Sequence, residues 1–422
     1  MTLLADLLSS VFERRFKTSS LLKRDGRSLD ELANDLISAS GEMSGLSLGQ
    51  EILTRFQQLE DEEKLAFFHH LATSMNIDPE TVRNTLDAYE QEPSQKTYRA
   101  FMHASEPDRQ ELIRRLNRLP GATEDLVRMR ADLLRLGRKD PELKALDLDF
   151  QHLFQSWFNR GFLVLRPISW ESPAHILEKI IAYEAVHAID SWDDLRRRLE
   201  PADRRCFAFF HPSMPDEPLI FVEVALTKGV PSSIQALLRE DREALAEEEA
   251  DTAVFYSISN CQAGLASISF GNSLIKQVVS DLSMELGTLK TFVTLSPIPG
   301  LTRWLAEAGL EVRSGTDDSD QIRSLAAYYL LNAKRFNGLP FDPVARFHLG
   351  NGAIVHAVHA EADTSEKGKS QSLGAMVNYL YDLKSVSQNH EAFATKAEVI
   401  SSGDVKSLAS NAAKAKNSGK AV

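Results

Sequence analysis

The sequence predicts an α-helical N-terminal bundle followed by an α/β (α+β) C-terminal domain. Three observations carry that expectation. Residues 1 to about 158 repeat apolar side chains at helical spacing and hold few β-branched runs. From Gly161 onward, short apolar runs alternate with stretches of helical period. The residues between them are the Gly, Pro, Ser and Asn of turns. The chain has 422 residues, 43% hydrophobic and 26% charged, ordinary for a globular protein with a large buried core.

The helical elements come first. Leu3, Leu4, Leu7, Leu8, Val11 and Phe12 share one helix face. Ser28 and Glu31 have the spacing of a capping box, with Leu32, Leu36 and Ile37 behind them. Asp78-Pro79 is an N-cap followed by proline at the first helical position, and Val82, Leu86 and Tyr89 continue the stripe. Ser105-Glu106-Pro107-Asp108 opens another helix, carrying Leu112, Ile113 and Leu116. Core packing is the expected use of these stripes; the alternative is that one of them faces another subunit. Strands are expected at Phe162–Leu165, Cys206–Phe210, Leu219–Leu226, Ala253–Ser259, Leu289–Leu295 and Ala353–Ala362. Helices are expected at Ile176–His187, Trp192–Leu199, Ser273–Leu286, Thr302–Ala308 and Asp320–Asn332. The expected domains are 1–158 and 159–400, followed by a flexible tail over 401–422, whose residues from Val405 on are rich in Ser, Lys, Ala and Asn and read as a frayed helix or as disordered.

Composition removes several classes of function. The net charge of −12 argues against a nucleic-acid binder, which would carry a basic stripe. Two cysteines, Cys206 and Cys261, make no disulfide framework and no zinc spacing. Met1–Arg15 is interrupted by Asp6 and Glu13, so it does not read as a signal peptide, and no run is apolar enough to span a membrane. The end, Gly419-Lys420-Ala421-Val422, is not a peroxisomal signal. A cytoplasmic protein is expected. Nucleophile-elbow, P-loop and dinucleotide motifs are absent from the sequence.

Three segments have the residue types for chemistry. Phe255 to Lys276 reads strand, small-residue loop, helix, and a loop of that kind presents backbone N–H groups to an anion. Ser296, in Thr294-Leu295-Ser296-Pro297-Ile298-Pro299-Gly300, follows a strand on a turn stiffened by two prolines. His348, in Ala345-Arg346-Phe347-His348-Leu349-Gly350-Asn351-Gly352, is expected at a strand edge, with an ordinary pKa suited to proton transfer at neutral pH. On its own each segment is equally a plain turn, a helix cap or a satisfied core histidine. His356 and His359 lie three apart on a strand and form no metal pair, and no metal constellation is found.

Together, and in this order, the segments resemble the malonyl-CoA decarboxylase family. The resemblance rests on HPSMPDEPLIFVEVALT (211–227), AVFYSISNCQAGLASISFGNSLIKQVV (253–279), LSPIPGLTRWL (295–305), ARFHLGNGAIV (345–355) and LGAMVNYLYDL (373–383). It extends back through WFNRGFLVLRPISW and EAVHAI. Coverage runs from about 157 to 383, and the pairing of LSPIPG with FHLxNGA is its specific part.

The resemblance implies a catalytic domain with the fold of the N-acetyltransferase (GNAT) superfamily, which binds coenzyme A in the splay between two central strands. It also implies a helical bundle used in forming a homo-oligomer, a dimer or tetramer. The catalytic serine falls on Ser296 and the catalytic histidine on His348. Substrate contacts fall on Ser257 and on the pyrophosphate loop Ala266, Ser267, Ile268, Ser269, Phe270, Gly271 and Asn272. Some members of the family carry a glutamate where this chain has Ser269. The loop also lacks the Arg/Gln and first Gly of the usual acetyltransferase motif, so the backbone anion site is expected to survive without a side-chain contact.

The implied reaction turns malonyl-CoA into acetyl-CoA and carbon dioxide, a step of fatty acid metabolism. It needs no metal or organic cofactor, because the thioester delocalises the charge left when carbon dioxide departs. Backbone N–H groups near the YSIS strand end would stabilise the oxyanion. His348 is preferred as proton donor with Ser296 orienting the carboxylate, and the opposite assignment stays open. The alternatives are an acyl-CoA N-acyltransferase of the same fold and a helical interaction protein without activity.

Overall fold

In a computed structural model of the chain, the residues described are 26–39, 41–268, 274–310 and 318–417. They fall into two compact units. The first takes in the helical region up to Asn159 together with Pro212–Pro215 and Gln262–Ile268. The second holds Arg160–His211, Asp216–Cys261 and the rest. The apolar stripe from Leu3 to Phe12 lies outside the described residues. No described helix is long and apolar enough to cross a membrane.

The first unit is helical from Leu29–Ser38 to Leu143–Trp157. Ser28 and Glu31 close the expected capping box, the Ser28 N–H donating to Glu31 Oε2 at 2.7 Å and the Glu31 N–H to Ser28 Oγ at 3.2 Å. Asp78 caps Pro79–Gln91 through the N–H groups of Glu80 and Thr81. Leu32, Leu36, Leu112, Ile113 and Leu116 are buried as expected of core stripes. Helices Pro79–Gln91 and Gln95–Ala104 depart from that expectation, since neither buries a residue. Their apolar faces meet each other, with the rings of Tyr89 and Tyr98 5.7 Å apart. Leu86, Tyr98 and Met102 are left exposed.

The second unit is built on an eight-stranded sheet in the order β1-β2-β3-β4-β5-β8-β6, with β7 also paired to β8. The strands are β1 (Val164–Ile168), β2 (Arg204–His211), β3 (Met214–Thr227), β4 (Thr252–Asn260), β5 (Thr291–Thr294), β6 (Ser296–Pro297), β7 (Ile354–His359) and β8 (Met376–Leu380). Strands β1 to β5 and β7 answer the six expected runs. Strand β8 was not expected: five residues with Asn378 at the centre show no clean alternation, and Asn378 is buried. Strands β4 and β5 pair in parallel, and the other strand pairs described are antiparallel. The last rung between β4 and β5 is the Leu295 N–H donating to the Phe255 carbonyl at 3.0 Å. Beyond it β4 runs on to Asn260 beside β3, while Ser296 turns away to pair with Val377 of β8. The two central strands therefore part at Phe255 and Leu295, the splay that the resemblance implied.

Two further expectations are corrected. His348 lies in the last turn of helix Pro343–Gly350, not at a strand edge. Asp342 and Pro343 are a helix start of the kind found at Asp78-Pro79, and Asp342 accepts the N–H groups of Val344 and Ala345 at 2.9 Å each. The C-terminal tail, expected to be flexible as a frayed helix or a disordered segment, is helical over Gly403–Asn417 and held against the core. Val405, Ala409 and Ala412, spaced four and three apart, are buried, so an amphipathic stripe of small residues holds it down.

Candidate active site

Ser296 and His348 come from segments 52 residues apart and are joined by one carboxylate. Asp342 caps the histidine helix, and its Oδ2 accepts the Tyr329 hydroxyl at 3.3 Å. It also takes the Gly300 N–H from the turn that follows Ser296. A Cβ at Gly300 would stand 2.2 Å from the Tyr329 hydroxyl oxygen, so only glycine lets the turn sit this close. After the helix, Gly352 has φ +87 and lies against the Val386 carbonyl, which a Cβ would meet at 2.0 Å.

Both site residues are buried. Ser296 Oγ donates to Thr294 Oγ1 at 2.8 Å, and Thr294 Oγ1 also accepts the Tyr379 N–H at 3.1 Å. With its own proton so committed, Ser296 Oγ is an acceptor toward His348 Nε2, 3.2 Å away. His348 Nδ1 faces the Tyr381 hydroxyl at 2.8 Å. The network thus assigns the Nε2–H tautomer, with Tyr381 donating to Nδ1. The imidazole stacks on Tyr379 with ring centroids 4.5 Å apart, and Tyr381 meets it edge-on. Burial pushes the His348 pKa down to about 3, so the ring is neutral at physiological pH. Thr294, Tyr381 and Asp342 were not singled out from sequence. Tyr381 alone lay within a matched stretch, two residues beyond Tyr379 on the run that becomes β8.

Ser257 is not brought to this pair. Phe292, Phe255, Ala345, Leu349, Tyr379 and Tyr381 share one core, on the face where Thr294, Ser296 and His348 lie. Along β3, Val222 and Val224 belong to that face, so Glu223 points to the other, and Ser257 pairs with Glu223. The register shifts there, Val224 facing Phe255 and Glu223 facing Ser257, which leaves Tyr256 as a bulge. The bulge turns the Ser257 side chain away from the dyad, where its hydroxyl donates to the Glu184 carboxylate at 2.7–2.8 Å. It also re-aims the backbone. The Cys261 N–H bonds the Leu219 carbonyl, so residues 257, 259 and 261 direct their N–H groups to β3. Ile258 then directs its N–H to the side that β5 has vacated.

Of the expected loop, Ala266, Ser267 and Ile268 are described, and Ser269, Phe270, Gly271 and Asn272 lie outside the described residues. Ser267 has a left-handed φ of +66. The segment packs within the helical unit. A Cβ at Gly264 would meet the Val127 carbonyl oxygen at 1.8 Å. Buried Arg130 donates to the Gly264 carbonyl at 2.6 Å and the Ala266 carbonyl at 3.0 Å, and its Nε to Asp147 at 2.8 Å. Sequence reading missed Arg130, because an arginine on an amphipathic helix reads as solvated.

The family profile described as the malonyl-CoA decarboxylase C-terminal domain matches residues 161–318 and 314–419, and that of the N-terminal domain matches 75–158. The mitochondrial malonyl-CoA decarboxylase of Anser anser anser is 36% identical over 349 residues, 71% of this chain and 69% of its own. The crystal structure of malonyl-CoA decarboxylase from Rhodopseudomonas palustris matches with a TM-score of 0.85 at 47% identity, covering 90% of this chain and 98% of that one. The corresponding structure from Agrobacterium vitis gives 0.84 at 47% identity, over 90% and 99%. This chain belongs to the malonyl-CoA decarboxylase family.

Proposed function

We propose that the chain converts malonyl-CoA to acetyl-CoA and carbon dioxide through Ser296 and His348, without a metal ion or organic cofactor. The buried contact between those two side chains, beside the point where β4 and β5 part, carries the reading for a chain of this family. In the free site the imidazole is neutral. A malonyl carboxylate entering such buried surroundings loses hydration that carbon dioxide does not need, which favours breaking the bond between them. The electron pair moves into the thioester, whose oxygen becomes negative. The Ile258 N–H, free of the β4–β5 ladder, is the donor assigned to that oxygen, and one preorganised donor of this kind contributes about 3–4 kcal/mol.

The substrate carboxylate beside His348 raises the affinity of the ring for a proton, which the ring takes up from solvent. The incoming proton goes to Nδ1, where the Tyr381 hydroxyl turns from donor to acceptor; as carbon dioxide leaves, the imidazolium gives its Nε2 proton to the methylene carbon and is left neutral. Ser296, its own proton held by Thr294, orients the carboxylate beside Nε2. One proton is consumed, one carbon–carbon bond breaks and one carbon–hydrogen bond forms. Coenzyme A is assigned to the splay, with its pyrophosphate at the loop Ala266–Asn272. A homo-oligomer formed through the helical region is part of the reading, supported by the apolar side chains that helices Pro79–Gln91 and Gln95–Ala104 leave exposed.

The test is carbon dioxide release from malonyl-CoA by the purified protein, with acetyl-CoA followed in parallel and no amine present. Equal amounts of both products, unchanged by a chelator, are expected. Acetyl-CoA consumed only when an amine acceptor is supplied would replace the reading with N-acyl transfer.

A further inference from the structure

A single carboxylate holds both residues that flank Ile258. Glu184 ends helix Ala174–Tyr183, and its Oε2 accepts the hydroxyl of Ser257 at 2.7 Å and that of Ser259 at 3.3 Å. Both serines are buried. The same side chain builds its own support. Oε1 accepts the N–H groups of Val186 and His187 at 2.8 Å each, which folds the chain back at the helix end. Ser259 Oγ in turn accepts the Ala185 N–H at 3.2 Å. Two cations fix the outside of this turn. Lys367 donates to the carbonyls of Ala185 and Val186, and Arg198 to those of His187 and Ala188. Nothing in the dyad touches Glu184, which lies on the opposite face of the sheet.

We infer that Glu184 is a positioning residue of the active site, setting the direction of the Ile258 N–H by gripping Ser257 and Ser259 on either side of it. Side chains alternate along a strand. Holding positions 257 and 259 on one face therefore fixes the rotation of the 258 peptide about the strand axis. The need is local. Tyr256 is a bulge, and past it β4 has lost β5, so one edge of the strand carries no ladder to resist rotation. Hydroxyl-to-carboxylate bonds are stronger than neutral ones. The Ser257 hydroxyl, its proton given to Glu184, cannot also donate to substrate. The inference rests on the reading of Ile258 as the oxyanion donor, and it places the function of Ser257 in orientation, not contact.

The experiment compares Glu184→Gln, Ser257→Ala and the double variant in the full-length protein, with His348→Asn as a control on the underlying mechanism. Because the oxyanion exists only as the bond breaks, misdirecting its donor lowers kcat and leaves KM nearly alone. Glu184→Gln should lower kcat about 10-fold or more with KM within about threefold, less than the roughly 10²–10³-fold seen when an oxyanion donor is removed outright, because the donor is misdirected and not deleted. The double variant should be no worse than the poorer single one, since both break one device. Binding of acetyl-CoA, titrated calorimetrically, should be unchanged. Wild-type kcat in Glu184→Gln, or singles whose effects multiply, overturns the inference. So does a rise in KM that accounts for the whole loss. Glu184→Asp, whose shorter arm reaches one serine at most, guards against a folding artefact: a stable Glu184→Asp with full kcat also overturns it. If His348→Asn keeps normal turnover, the dyad mechanism fails instead, whatever Glu184 does.

Discussion

Tyr381 holds His348 by Nδ1, at 2.8 Å from the phenolic oxygen, and thereby leaves Nε2 to face Ser296. The tyrosine and the histidine are both buried, and burial is what pushes the tyrosine pKa up and the histidine pKa down. Neither ionises in the free enzyme, so there the hydroxyl is the donor to Nδ1. Tyr381→Phe should leave Nδ1 buried without a partner. The loss of that bond costs about 1–3 kcal/mol, and the ring becomes free to change tautomer. A lower melting temperature and a fall in kcat of about 10-fold or more are expected, smaller than the roughly 10²-fold or more of a lost general acid because the imidazole itself remains. Unchanged kcat would show that Nε2 needs no such support.

Removing the dyad itself should act on turnover. His348→Asn and Ser296→Ala are expected to lower kcat by about 10²-fold or more. Affinity for coenzyme A should change little, because the loop assigned to the pyrophosphate is a different segment. Each variant needs a melting curve beside its kinetics, since His348 is packed between Tyr379 and Tyr381.

Arg130 should influence substrate affinity although it lies in the helical region. Replacing it by methionine leaves the carbonyls of Gly264 and Ala266 without their buried partner and removes the ion pair to Asp147. The loop that follows should loosen, so KM for malonyl-CoA should rise more than kcat falls. A fall in kcat at constant KM would detach this anchor from coenzyme A binding.

Glu223 predicts a pH dependence of stability. It is fully buried, and burial first, then the charge of Glu184, push its pKa up to about 8, with Arg198 opposing. The unfolded chain releases this proton near 4.5 and the folded chain near 8. Its contribution is therefore fully present below pH 4.5 and is lost as pH rises to about 8. Glu223→Gln, which cannot ionise, should show a smaller decline in melting temperature between pH 5 and pH 8 than the wild type. Parallel curves would mean that Glu223 is already charged at pH 5.

The exposed hairpin should matter to assembly. Leu86→Asp with Met102→Asp places two charges on an apolar surface that the first unit does not cover. Light scattering should then report a smaller species with the melting transition of the second unit retained. An unchanged oligomer would assign assembly to another surface.

The sequence by itself determined that a helical part precedes a mixed α/β part and most element positions, and through the family resemblance it pointed to Ser296 and His348 as the candidate pair. Those features are local. Helical stripes, capping residues such as Ser28 with Glu31, and the proline-stiffened turn after Ser296 are written in residues a few positions apart. Where the reading went astray, a local pattern had two outcomes. Asp342-Pro343 is as good a helix start as Asp78-Pro79, yet His348 between Phe347 and Leu349 also reads as a residue at a strand edge before a turn. The stripe Val82, Leu86, Tyr89 looks like any core stripe until its partner is found to be another exposed helix. What only the tertiary structure decided is long-range and polar. Tyr381 meets His348 because β8 lies beside β5. Glu184 meets Ser257 because a one-residue bulge at Tyr256 reverses which face that serine takes. A bulge changes alternation without changing composition, so a sequence containing one reads the same as a sequence without it.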